Sequence, residues 1–417
     1  MKFREAETKM IESIGGLNSD DRMMIQANPD TLDLAAEAIP RFVETVKNGG
    51  SIKRWWDVTR QACYKEANSE LTLGFLLRKG VQQVGTDWYK RVPTVYRSYC
   101  EIAPSNAVAE WYAPLYDGDI AVEIYRGVTI PEGRIQGEDS QLVNRKFGRI
   151  EAFERELFDD DKTGQIGQRA QKLGGSMAVT ESVYASSRFV GTSRTYGQLT
   201  VTASNYTTTN YLGNAVTGPW SSTLYSATAG NRPSSYGILN MGNVKFAYQG
   251  LMIAADPLGN IIMVDPNTLL VSRVDKVNAD LLTQPGYYPA TVGQSNTSVA
   301  NNPVHGGTSA TAGTSQGAYA GYPGGVMSTN PVAAWGIKAV CERYIADNVC
   351  ALGQSGRGLV FQERTPLEVV QETPNSGSSF NFDVIRYRAM RRFEADWIGG
   401  GSRFWFLLND GSVSAVL

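Results

Sequence analysis

The sequence predicts an α+β fold in which one long helix is framed by β-rich segments. Three observations predict it. Between Gln165 and Phe189, the residues Ile166, Ala170, Leu173, Met177 and Tyr184 recur at spacings of three, four and seven, which draws one apolar stripe down a helix. Toward the C-terminus, Leu359–Gln362, Leu367–Val370, Phe382–Ala389 and Arg403–Leu408 are short runs rich in β-branched and aromatic residues. Finally, no side chain from Thr195 to Asn231 or from Leu281 to Ile337 is charged. A monomer ordinarily spreads charge over its surface, so long neutral Gly/Ser/Thr/Asn-rich stretches fit a chain covered largely by copies of itself.

Composition sets the limits. A chain of 417 residues can bury a substantial core and corresponds to roughly two to three domains of ordinary size. Hydrophobic residues make up 42% and charged residues 19%, which excludes disorder of the whole chain. A net charge of −2 excludes a protein built to coat nucleic acid, since that affinity rests on neutralising phosphates with an excess of Lys and Arg. Cys63, Cys100, Cys341 and Cys350 are sparse and lack C-x-x-C spacing, so a reducing, cytoplasmic setting fits better than a disulfide framework. Met1-Lys-Phe-Arg-Glu-Ala-Glu has no apolar core of the secretory kind, and no run of about 18 apolar residues suits a membrane span. The sequons at Asn205 and Asn296 therefore read as chance matches.

In chain order, Met1–Ile14, Leu32–Val46 and Ile52–Lys65 read as charged helices separated by Gly15-Gly16 and Gly49-Gly50, an arm or small helical unit. Apolar residues continue from Leu71 to Glu101, where Pro93 forbids one continuous helix. Val108–Lys146 reads as an extended hairpin with turn signals at Asp117-Gly118 and Pro131–Gly133; such a hairpin needs a neighbour to cover it. Asp159-Asp160-Asp161 precedes the long helix, with Asp161 or Thr163 expected as its cap. Gly174-Gly175 inside that helix costs about 1 kcal/mol per Gly and is tolerable where another backbone packs closely. Gln198–Ala203 reads as a strand, as does Asn260–Val264, followed by Asp265-Pro266 and a short helix. Pro289–Asn330 is low in complexity, an interaction element or a disordered loop. Near the end, alternation sends Ile385, Tyr387 and Ala389 to one face and Arg386 and Arg388 to the other, and Asn409–Ser412 reads as a hairpin turn.

A search for chemistry finds no catalytic constellation, cofactor site or metal site. The single histidine, His305, lies in the low-complexity loop without a rigid support or partner. There is no nucleophile elbow and no phosphate-binding P-loop. Asp159, Asp161, Thr163 and Gly164 partly imitate a calcium loop, yet position twelve is Ala170 where a bidentate Glu is needed, so the start of a helix is the better reading. Cys341 and Cys350 read as buried thiols rather than zinc ligands. Arg386, Arg388, Arg391 and Arg392 are nearly balanced by Asp383, Glu394 and Asp396, which favours ion pairing, between subunits at least as much as to DNA. Trp55-Trp56 reads as packing of an amphipathic helix.

The order of these elements resembles the major capsid protein of tailed bacteriophages, whose shell fold is shared with herpesvirus capsid floors and encapsulins. Phe147-Gly-Arg-Ile150, Arg155–Asp160 and the long helix are similar to the end of that family's extended hairpin, the E-loop, and its spine helix. Ile262–Leu270 resembles a strand and the start of a helix in the axial domain, and Phe361–Val370 with Asp383–Phe393 and Trp397 resembles the strands that return to the peripheral domain. The resemblance covers Leu71 to the C-terminus. It implies a helical N-terminal region over 1–70, an N-arm over 71–106, the E-loop over 107–150, a peripheral domain with spine helix over 151–205, an axial domain over 206–354 and return strands over 355–417.

It also implies a structural, non-enzymatic protein of the virion. Such a protein assembles with itself in the host cytoplasm into hexamers and pentamers of an icosahedral head. Its further partners would be portal, scaffolding, decoration and head-completion proteins, with weak contact to packaged double-stranded DNA and none to membrane. Members that cross-link covalently use an E-loop Lys; Ile102–Arg145 contains none, so noncovalent stabilisation is expected. The alternatives are an encapsulin-like compartment shell and a β-rich carbohydrate-binding or adhesin module.

Overall fold

The computed structural model describes residues 30–65, 69–112, 140–154, 164–190, 194–196, 199–201, 207–209, 215–217, 219–220, 231–233, 237–256, 260–284, 331–372 and 384–411. Helices α1 (Asp30–Lys47), α2 (Lys53–Lys65) and α3 (Ser69–Arg91) come first, then strands β1 (Glu101–Pro104), β2 (Ala109–Tyr112), β3 (Ser140–Val143) and β4 (Arg145–Glu154). The long helix α4 (Gln165–Ser187) follows, with short strands β5 (Arg194–Tyr196), β6 (Leu199–Val201), β7 (Thr207–Thr209) and β8 (Ala215–Thr217) after it. Then come α5 (Met241–Met252), β9 (Thr268–Val271), α6 (Lys276–Thr283), α7 (Pro331–Ala334), β10 (Lys338–Cys341), β11 (Val349–Gly353), β12 (Leu359–Gln371), β13 (Val384–Trp397) and β14 (Trp405–Asp410).

The first sheet has the order β1-β12-β13-β4, with β1 parallel to β12 and the other pairs antiparallel. Against it lies α4, about 35 Å long at 1.5 Å per residue. The predicted stripe is the buried one: Ile166, Ala170, Leu173, Met177 and Tyr184 are each at most 2% exposed. The first four pack with α1, α2 and α3 and with Phe153, Val369, Tyr387 and Ala389 of the sheet, while Tyr184 packs with Phe361, Phe393 and Trp397. Alternation along β13 holds as well, burying Tyr387 and Ala389 and exposing Arg388.

The second sheet has the order β10-β9-β11-β14. Its central strands β9 and β11 are buried throughout, because Leu270, Ala351 and Leu407 face the first sheet's core while Leu269, Leu352 and Phe406 face α5 and α6. Three two-stranded ribbons, β2–β3, β5–β6 and β7–β8, complete the described sheets.

Several expectations need correction. The described part of residues 1–70 is neither an arm nor a separate unit, since Phe42, Ile39 and Trp55 share one cluster with α3, α4 and the first sheet. In the stretch 71–106, read as the N-arm, α3 packs into the same core. The stretch after Pro266 is strand β9 and not a helix; four consecutive buried residues, three of them apolar, carry no periodicity that distinguishes the two. Asn260–Val264 forms only a single bridge, Ala255 to Ile261, and Met263 is 83% exposed. Trp405–Asp410 pairs with β11 in the second sheet instead of returning to the first.

The helix cap differs too. Gly164 caps α4 at φ +70°, without a side-chain bond, because a Cβ there would lie 2.8 Å from the Gly50 carbonyl oxygen. At the other end of the chain, Gly411 turns at φ +89° after β14. The Met1–Ile14 helix, the hairpin's turn signals, Asp159–Asp161, His305, Pro289–Asn330 and Ser412 lie outside the described residues.

Candidate assembly surface

The chain's buried charges form its rigid support. Glu181 of α4 is fully buried and accepts hydrogen bonds from the hydroxyls of Tyr89 (2.9 Å) and Tyr96 (2.8 Å), and Arg391 of β13 pairs with it. Burial pushes the Glu181 carboxyl up, against Arg391 and the two hydroxyls that favour its ionised form. Burial acts to lower Arg391, but Glu181 and its neighbours overcome this and hold the guanidinium charged. Arg391 also reaches Glu363 of β12 at 2.9 Å, and Glu363 meets Arg97 at 2.5 Å. One strand of charge thus ties the helix, both central strands and the turn after α3.

A second pin lies nearby. Glu394 accepts from the Tyr184 hydroxyl at 2.6 Å and pairs with the buried Arg188 at 3.3 Å and with Arg145 of β4 at 3.0 Å. Burial raises this carboxyl as well. A third pin joins the two sheets' surroundings: Glu342, at the end of β10, accepts from the Tyr344 amide at 3.2 Å and lies 3.5 Å from the Tyr99 hydroxyl. Burial raises its carboxyl to about 7. These pairs correct the expectation for the arginine set, because Arg391 is consumed inside the chain and is not available to a neighbour.

Sequence reasoning missed Glu181, although a signal was present. It falls four residues after Met177, in line with the apolar stripe, and a carboxylate on a buried stripe demands a partner.

On this support stands the β2–β3 ribbon. Its inward face is tied down: Tyr112 donates to the Gln362 side chain at 3.1 Å, the Gly399 amide donates to the Ser140 hydroxyl at 3.0 Å, and Leu142 is buried. At its base Asn144 donates to the Ser105 hydroxyl and the Ala107 carbonyl, each at 2.9 Å. The outward face carries Trp111, 70% exposed, and the exposed Val143, which the pairing of Trp111 with Gln141 and of Ala109 with Val143 puts on one side. Further apolar side chains stand exposed around the second sheet: Ile253, Ile261 and Met263, Val274 before α6, and Val277 and Leu281 along it.

The four cysteines are free, and three are buried. Cys341 and Cys350 both lie opposite Val271, one on each side of β9, which separates them by two strand spacings of about 4.8 Å. That is beyond the reach of a disulfide. Among the described residues no three His, Cys, Asp or Glu side chains gather as metal ligands, and no helix is long and apolar enough to cross a membrane. Trp55 packs edge-on against Phe42 and donates to the Ala38 carbonyl at 2.7 Å.

No family model and no curated protein matches the chain. In structure it is similar to the capsid of the native GTA particle, at 13% identity over 76% of this chain and 90% of that one, with a TM-score of 0.45. It is similar to a chain of Microbacterium phage Oxtober96, at 12% identity, 76% and 90% coverage and a TM-score of 0.39. A virus-like particle from Pyrococcus furiosus is similar at 9% identity, 79% and 98% coverage and a TM-score of 0.39.

Proposed function

We propose that this chain is a structural shell subunit, the major capsid protein of a tailed phage, that assembles with itself into hexamers and pentamers of a DNA-filled icosahedral head. The observation that carries this reading is the contrast within the β2–β3 ribbon. One face is fastened to the body by hydrogen bonds, and the other offers Trp111 and Val143 to a surface that the described residues do not supply.

In this reading the ribbon is the base of the E-loop and covers a neighbouring subunit. Helix α4 and the first sheet form the peripheral domain, and the second sheet with α5 and α6 forms the axial domain. The ion-pair pins keep each subunit rigid enough to repeat one set of contacts many times, so that many weak contacts add to a stable shell. Assembly is noncovalent, since the hairpin from Ile102 to Arg145 has no lysine to cross-link. No step of the reading requires catalysis.

Electron microscopy of the purified chain, alone and co-expressed with the genes beside its own, tests the reading. Closed shells or capsomers are expected; monodisperse monomer under both conditions would overturn it. Nucleic acid is the expected content of filled particles, and protein cargo in its place would redirect the reading to a compartment shell.

A further inference from the structure

A groove of about 280 Å³ runs beside Arg97 and Tyr89, lined by Arg364, Arg391, Glu363, Pro366 and Leu367. It opens where the first sheet's edge fails. Strand β1 ends with Pro104 opposite Glu363, and the Ser105 amide makes a last bond to the Glu363 carbonyl at 2.8 Å. Past that point no described strand flanks β12 on this side. The register of β12 against β13 shifts between Glu363 and Thr365 and again between Thr365 and Glu368. Irregularities of this kind re-aim side chains, and Pro366 has no N–H to restore the ladder.

The charge in the groove does not balance. Among the described lining residues Arg97, Arg364 and Arg391 stand against Glu363 alone, and counting Glu181 beneath the wall leaves one guanidinium, that of Arg364, without a carboxylate in contact. Arg97 and Arg391 share the two carboxylates, whereas Arg364 makes no hydrogen bond or ion pair among the described residues. Glu110, the carboxylate of the same chain that feels Arg364, is engaged by the Ser105 hydroxyl and the amides of Asn106 and Ala107.

We propose that this groove is a socket for a single carboxylate side chain of a second copy of the chain, received by Arg364. A carboxylate matches the one spare charge, and Pro366 and Leu367 offer an apolar wall to its methylene stem. A nucleic-acid backbone fits less well, because its successive phosphates would meet the Glu363 carboxylate on the wall. The second copy as donor rests on the shell reading; the socket for a carboxylate does not.

Two measurements on the full chain test this. First, thermal unfolding is followed in sodium glutarate, sodium phosphate and sodium chloride at equal ionic strength. Glutarate is expected to raise the midpoint by about 2 °C over chloride, as binding to the folded state alone requires, and Arg364→Gln is expected to abolish the rise. No rise, or an equal rise in the variant, overturns the socket whether or not shells form. A larger rise in phosphate overturns the ligand class. Second, sedimentation compares self-association of the wild type, Arg364→Lys and Arg364→Glu. Arg364→Glu is expected to weaken it about tenfold or more, with Arg364→Lys between the two. Unchanged association of Arg364→Glu, or a wild-type chain that binds glutarate and never associates, overturns the second copy as donor; the latter also removes the shell reading.

Discussion

The carbonyl oxygen of Gly85 occupies the space of the side chain that Gly174 lacks: a Cβ on Gly174 would stand 1.9 Å from it. Helices α3 and α4 therefore touch backbone to backbone, and the cost of a glycine in mid-helix is offset by that contact. The relationship is not symmetric. A Cβ on Gly85 would meet the Ala170 carbonyl oxygen and a Val369 methyl, each at 3.6 Å, an ordinary contact distance. Gly174→Ala is thus expected to destabilise by about 3 kcal/mol or more, because two helices must part. Gly85→Ala is expected to change stability by no more than about 1 kcal/mol, as the gain in helix propensity offsets minor repacking. Thermal unfolding of both variants checks this, and equal midpoints would refute it.

Glu181 and Arg391 are the most buried ion pair described, with side chains 0% and 4% exposed. Removing Arg391 strands the Glu181 carboxylate in the core, and removing Glu181 leaves the buried Arg391 with Glu363 alone. Glu181→Leu alone is expected to cost about 3 to 5 kcal/mol, while the double variant with Arg391→Met is expected to be less destabilised than that single change. A double-mutant cycle by chemical denaturation measures the coupling. Additive costs would mean that the pair does not act as a unit.

The long helix, its buried stripe and its double glycine were legible in the sequence because a 23-residue periodicity and a tolerated penalty each carry a definite physical meaning. The β9 strand was not legible. Thr268-Leu-Leu-Val271 is buried on both faces, so neither alternation nor helical spacing marks it. The second-sheet pairing of Trp405–Asp410 was hidden for another reason: strand order is decided by contacts distant in sequence, here with Val349–Gly353. The outward face of the ribbon lay between these cases. The hairpin was legible over Val108–Lys146, but which of its faces the body would claim depended on Gln362 and Gly399, far along the chain.

Glu342 makes stability depend on pH. Its carboxyl titrates near 7 in the folded chain, against an ordinary value of 4.5, because it is buried. Between those values the folded state holds the proton and the unfolded state releases it, so this group's contribution to stability falls as pH rises from about 4.5 to 7. Above pH 7 the ionised carboxylate leaves a deficit on the order of 3 kcal/mol relative to acid conditions. Glu342→Gln keeps an acceptor for the Tyr344 amide and removes the titration. The variant is expected to match the wild type near pH 4.5 and to exceed it at pH 8; a difference that does not change with pH would exclude this carboxyl as the source.

Trp111 separates stability from assembly. It is 70% exposed and Val143, on the same ribbon face, is exposed with it, so the isolated subunit derives little from its burial. Trp111→Ser is expected to shift subunit stability by no more than about 0.5 kcal/mol, the usual range for a surface change away from buried features. In the assembled state the same ring would be covered by a neighbour, and a large aromatic lost from an interface centre typically costs about 2 kcal/mol or more per contact. Repeated over every subunit of a closed particle, that loss prevents closure or lowers the yield of shells sharply. The expected outcome is a folded, thermally normal protein that sediments as small species and gives few particles by microscopy. Normal particle yield from Trp111→Ser would show that the ribbon's apolar face does not hold the assembly together.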